Sequence, residues 1–213
     1  MKPWRVPAVD LLSWAPLMLL AATPDDPFCA TSIGIRETLK AATAPAHRAL
    51  DECLGQFDLT TIAHYRRFLQ ASAAALLPLE QALERAGVAG MVDDWAERRR
   101  SEAIRADVAA LHGSIAPVAL SMPALDRPSV LGALYVLEGS RLGASYLLRV
   151  VAASADPRAR GATRYLRHGA GKGLWRSFLG QLAQEPVTSS NQVRMIASAR
   201  EVFAVFAMAM ASA

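Results

Sequence analysis

The stretch from Val130 to Val151 contains no proline and is apolar on both sides of its centre, yet it carries glycine at 132, 139 and 143. Its length and composition predict a helix, and each interior glycine costs such a helix about 1 kcal/mol relative to alanine. At about 100° per residue the three glycines fall within an arc of about 40°. The helix therefore presents one bare stripe of backbone. Such a stripe admits either the close approach of a second helix or a flat, bulky ligand lying against the main chain.

The remainder of the chain is helical in pattern. Ile35 to about Cys53 reads as an amphipathic helix interrupted by Pro45. A second follows, capped by Asp58 or Thr60, with Ile62, Tyr65, Phe68, Leu69, Leu76 and Leu79 on its apolar face; Pro78 is expected to bend or split it before Gly87 ends it. A charged segment from Asp93 to His112 and a loop with Pro117, Pro123 and Pro128 lead to Ser129, a plausible cap for the glycine-bearing helix. Beyond Asp156-Pro157 come a short helix, a break at Gly169, Gly171 and Gly173, a helix through Trp175 and Phe178, and a last helix capped from Ser189, Ser190 or Asn191. No period-2 alternation, hairpin dipeptide or internal repeat is present. The predicted fold is all-α, a single-domain helical bundle spanning residues 35–213.

Residues 1–34 read differently. Pro3, Pro7, Pro16, Pro24 and Pro27 punctuate a short apolar run from Leu11 to Ala22, which is too short to span a bilayer. The segment is expected to be a poorly ordered N-terminal extension. The whole chain has 213 residues, 53% of them hydrophobic, and a formal charge of +4. Its arginines are interleaved with acids and lack aromatic neighbours, which argues against nucleic acid as a partner. Two cysteines, Cys29 and Cys53, make neither a metal pair nor a disulfide framework, in keeping with a cytoplasmic protein that has no membrane partner.

Of four histidines, His47 has the most suggestive surroundings. Lys40 lies seven residues before it and Asp51 four residues after, so an unbroken helix places all three on one face. Asp51 can orient the imidazole through its second nitrogen, as carboxylates do for metal-bound histidines. Three solvated charges on an exposed face would have the same spacing.

The motifs are more specific. The run from Ile35 to Asp51, with Leu39-Lys40-Ala41-Ala42-Thr43 ahead of His47, resembles the first helix of haem oxygenases. The run from Tyr135 to Ala144, with Leu137-Glu138-Gly139-Ser140-Arg141-Leu142-Gly143, is similar to the distal helix of the family's bacterial, biliverdin-producing branch. The two lie in the family's order, about 90 residues apart.

This resemblance implies a haem-oxygenase-like bundle in which His47 is the proximal ligand of the haem iron. Gly139 and Gly143 would lie against the distal haem face, and Ser140 would help hold ordered water there. Lys40, and with it Lys172 and Arg176, would meet the propionates, with Tyr135 as a further pocket contact. The implied activity is an oxygenase that opens haem, its substrate and cofactor, with O2 to biliverdin, CO and ferrous iron. No dinucleotide fingerprint or iron–sulfur cysteine cluster is present, so the reductant is external: a ferredoxin or an NAD(P)H-dependent reductase. Biliverdin could feed a bacteriophytochrome, or the reaction could serve iron acquisition. Departures from the family pattern are Ala144 in place of a second consecutive glycine, Asp51 in place of a longer glutamate, and Pro45 just before the ligand. A haem-storing or haem-sensing protein of the same fold is the competing reading. A di-iron enzyme would need paired carboxylate-x-x-His motifs that this chain lacks.

Overall fold

The structure, a computed structural model, describes residues 27–120, 125–186 and 188–213. The proline-punctuated segment up to residue 26 and Pro123 lie outside the described residues. Within them the chain is helical, with no strand: α1 (Pro27–Leu54), α2 (Ile62–Arg85), α3 (Trp95–Arg98), α4 (Ser101–Ala110), α5 (Arg127–Gly139), α6 (Arg141–Ala152), α7 (Pro157–Gly161), α8 (Arg164–Arg167), α9 (Leu174–Leu182) and α10 (Ser189–Ala211). Helix α1 begins eight residues before Ile35, inside the stretch expected to be an extension.

Helix α10 is the centre of the bundle, packed against α5, α1 and α2. Its buried side chains Met195, Ala199, Val202, Phe203, Val205 and Phe206 recur at helical spacing. Against it α1 turns the stripe Ile35, Leu39 and Thr43, with the Thr43 hydroxyl donating to the Leu39 carbonyl (2.7 Å), so a polar side chain sits in the core without an orphaned hydrogen. The closest approach is between α5 and α10. A β-carbon on Gly132 would stand 2.1 Å from the Met195 carbonyl oxygen, so only glycine fits. One member of the glycine stripe is thus explained by helix packing.

Several local expectations are corrected. Helix α2 runs unbroken through Pro78. The carbonyl that Pro78 deprives of a partner is that of Ala74, and it accepts the Val118 amide at 3.0 Å instead, so the passing strand of coil repairs the ladder. The caps are Thr61 for α2, Asp126 for α5 and Thr188 for α10; Ser129 is not itself the cap but bonds to it, through both its amide and its hydroxyl. The helix expected to run unbroken from Val130 to Val151 is two helices, divided at Ser140.

Candidate functional site

On α1, His47 Nδ1 lies 2.8 Å from Asp51 Oδ2, the i, i+4 contact anticipated from spacing. Its ring packs on Phe203 of α10, with centroids 5.6 Å apart, which fixes the imidazole from behind. The side chain is 47% exposed, and Nε2 has no hydrogen-bond partner among the described residues. A ring held through one nitrogen with the other offered outward is the arrangement a metal-ligating histidine needs. Pro45 leaves α1 intact, and the Ala42 carbonyl beside it accepts from Arg200 Nε of α10 at 3.0 Å. Lys40 is exposed near Glu37, its nitrogen 3.9 Å from the carboxylate.

The junction between α5 and α6 forms the second part of the site. Gly139 closes α5, and a β-carbon there would meet only the Trp175 ring, at 3.7 Å. Trp175 opens α9 and tilts against Tyr135 at 5.7 Å and Phe178 at 6.0 Å. Burial, the main cause, pushes the Tyr135 hydroxyl up to about 12, with Arg36 and Glu37 of α1 close enough to act on it in opposite senses. Tyr135 therefore stays protonated and stands beside the N-terminal part of the histidine helix. Helix α6 is apolar, yet Val151 alone of its residues is buried; Leu142, Gly143, Ala144, Tyr146 and Leu147 are half-exposed. An apolar helix left half-covered lines space rather than core.

Behind the junction lies a polar cluster that the motif reading missed. Arg98, with a side chain 0% exposed, grips both oxygens of Asp94 (2.6 and 2.7 Å), Glu138 Oε2 (2.6 Å), the Leu174 carbonyl (2.9 Å) and the Ser177 hydroxyl (3.2 Å). Arg141 bonds both oxygens of Glu138 at 2.9 Å, the Arg98 carbonyl, and His168 through its ring nitrogen and carbonyl (3.2 Å each). Although burial opposes ionisation of Asp94, the Arg98 hydrogen bond and charge hold its carboxyl below the usual range. Burial and the neighbouring cations Arg141, Arg100 and Lys172 push His168 down to about 4. Arg141 points into this cluster. The available signal was Glu138: a lone acid on an otherwise apolar helix face requires a buried cation.

The sequence-predicted residues are thus distributed. His47 and Asp51 meet; Tyr135 and Gly139 lie together at the junction, both against Trp175, which was not among them. Ser140 donates to the Leu137 carbonyl (2.7 Å) and accepts from Arg100 (3.1 Å). Lys172 precedes α9 and pairs with Glu97 of α3 at 3.0 Å, both well exposed, while Arg176 is exposed on α9. Neither is brought into contact with Lys40.

An all-α bundle with a buttressed histidine on its first helix and a glycine at the junction of α5 and α6 is what the resemblance to the haem oxygenases implied. The sequence matches the family described as Heme oxygenase over residues 34–212, and the chain belongs to that family. No curated protein matches it. Among solved structures it is similar to the NO- and CO-bound heme oxygenase from Neisseria meningitidis, with 22% identity and a TM-score of 0.69 over 84% of this chain and 90% of that chain. It is also similar to heme oxygenase from Leptospira interrogans, with 17% identity and a TM-score of 0.64 over 84% and 99%. No helix among the described residues is long and apolar enough to cross a membrane.

Proposed function

We propose that this chain binds haem through His47 and opens it with O2 and external electrons to biliverdin, CO and Fe2+. The observation that carries the reading is the half-exposed His47 imidazole, held by Asp51 and Phe203, with no hydrogen bond at Nε2 among the described residues. Among the described residues no group of three or more His, Cys, Asp or Glu side chains could hold a bare metal ion. One offered histidine instead suits an iron that would arrive already held by a porphyrin. The half-covered apolar helix α6 suits the macrocycle, so the residues present fit haem. Bound haem supplies the iron that activates O2 and is itself oxidised.

The chain's own residues then have these roles. Asp51 fixes the His47 tautomer, with the proton on Nδ1, and orients the ring. Gly139 and Gly143 keep β-carbons away from the distal space. Ser140 presents a hydroxyl at the junction, where it helps order water, and protonated Tyr135 can donate to a carboxylate at the pocket edge. Lys40, Lys172 and Arg176 supply cations for the propionates; Lys172 must leave Glu97 to do so, an exposed pair whose loss costs about 1 kcal/mol or less. The electrons come from a separate ferredoxin or NAD(P)H-dependent reductase, cytoplasmic like the chain, and the biliverdin suits a bacteriophytochrome.

The test is spectroscopic. Purified protein with one equivalent of hemin, reduced in air, is expected to lose its main absorption band and yield a green linear tetrapyrrole, with CO released. His47→Ala is expected to abolish the histidine-ligated spectrum, whereas His64→Ala and His112→Ala retain it. An intact haem spectrum under turnover sinks the oxygenase reading, and a wild-type-like spectrum in His47→Ala sinks the ligand assignment.

A further inference from the structure

The break between α5 and α6 has a specific cause outside both helices. In an unbroken helix the Leu137 carbonyl would receive the Arg141 amide. Here α5 stops at Gly139 with a last backbone bond from Ser140 N to the Val136 carbonyl (3.0 Å), and the Leu137 carbonyl receives side chains: Arg100 Nη2 at 3.0 Å and the Ser140 hydroxyl at 2.7 Å. Arg100 Nη1 also donates to that hydroxyl at 3.1 Å, closing a three-membered clamp. Arg100 is itself immobilised. It is 4% exposed, its amide is bonded to buried Glu80 of α2 (2.8 Å), and its guanidinium lies over the Tyr165 ring at 5.3 Å. Among the described residues it forms no ion pair, so both bonded terminal nitrogens serve the junction.

We infer that Arg100 is a positioning residue for the reaction: by capturing the Leu137 carbonyl it sets the angle between α5 and α6, and hence the width of the distal space beside Gly139 and Gly143. The step from helix angle to distal space rests on the haem reading above; the clamp itself does not. A guanidinium is suited to the task because its planar fork reaches two acceptors at once, which a lysine ammonium on a flexible stem does poorly. Glu138, Arg98 and Arg141 brace the same junction from the other side, so losing Arg100 loosens it without dissolving it.

Two measurements on the full-length chain test this. In Arg100→Met, hydrogen exchange at the Ser140 amide, which closes α5 on the Val136 carbonyl, is expected to accelerate about tenfold or more while core amides of α10 do not change. In the ferric hemin complex of the same variant, binding of bulky imidazole relative to small cyanide is expected to shift in favour of imidazole by about fivefold, the size of one net hydrogen bond. Arg100→Lys is expected to recover only part of either effect, and Ser140→Ala, which keeps the guanidinium, provides a milder variant if Arg100→Met does not fold. Unchanged exchange at the junction overturns the clamp. Accelerated exchange with an unchanged imidazole-to-cyanide ratio overturns the link to the distal space. Failure of the wild-type chain to form a His47-dependent hemin spectrum would overturn the haem reading instead, with the exchange experiment still deciding the clamp.

Discussion

Glycines that look alike in the sequence do different work at the residue scale. Gly132 and Gly139 are seven apart on one helix and share its bare stripe, but a β-carbon on the first would collide with the Met195 backbone at 2.1 Å, whereas on the second it would rest 3.7 Å from a side-chain ring. Gly132→Ala is therefore expected to cost about 1–3 kcal/mol through overpacking against backbone that has no room to shift. Gly139→Ala is expected to leave the urea midpoint unchanged or raise it, since alanine is the better helix former by about 1 kcal/mol, while Gly139→Leu cuts haem turnover. Equal urea midpoints for the two alanine variants would contradict this division. Glu138 makes the complementary point. With a side chain 2% exposed and arginines on both sides, it cannot be removed without stranding two buried cations. Glu138→Ala is expected to cost about 3–5 kcal/mol in urea unfolding, the penalty for breaking a buried charge network; a loss below about 1 kcal/mol would mean that solvent reaches Arg98 and Arg141 in the native state.

At the scale of elements, local pattern located the helices and the histidine face because both depend on residues within one or two turns of each other. His47 and Asp51 are an i, i+4 pair, and the motif around Gly139 sits where the junction forms. What the sequence concealed depends on partners far along the chain. The break at Ser140 requires Arg100, forty residues earlier, and the continuity of α2 through Pro78 requires the Val118 amide. Nothing in the local sequence marks Arg98 and Arg100 as buried, because the acid that draws Arg98 inside is on another helix and the acceptors of Arg100 lie at the junction. Helix α8 shows the same dependence. Only four residues long, it stands because Asp107 of α4 accepts the Arg164 and Tyr165 amides at 3.1 and 2.8 Å. Asp107→Ala is expected to destabilise the fold by about 2 kcal/mol, as for a lost charged cap, and to speed exchange of the Tyr165 amide specifically. Because Tyr165 lies under Arg100, the disturbance is expected to reach the junction amides more weakly; an unaffected Tyr165 amide would show that packing alone holds α8.

For the whole molecule, the junction cluster gives stability a pH dependence centred on His168. His168 ends α8, accepts from Arg141 through Nδ1, and is faced by Arg141, Arg100, Lys172 and the Glu138 carboxylate. Burial and the three cations outweigh Glu138, so its pKa falls from 6.5 to about 4 on folding. Between those values the unfolded chain binds a proton that the native chain refuses, and stability must fall as the pH drops through that window. Above 6.5 both states are neutral at this site and its contribution is flat. The carboxylates that folding acidifies, Asp94, Asp126 and Asp156, act in a separate and lower window, below their ordinary 3.8. Urea midpoints of the wild type are therefore expected to decline from pH 6.5 towards pH 4. His168→Gln retains a carbonyl acceptor for Arg141 but has nothing to protonate, so its midpoint is expected not to decline across the same interval, where Asp107, raised by burial, acts in the opposite sense, and to fall only at the carboxylate window. The hemin spectrum of that variant is expected to match the wild type at pH 7, since His168 acts on the junction and not on the iron. Parallel decline of the two proteins between pH 6.5 and pH 4 would assign the acid sensitivity to some other group.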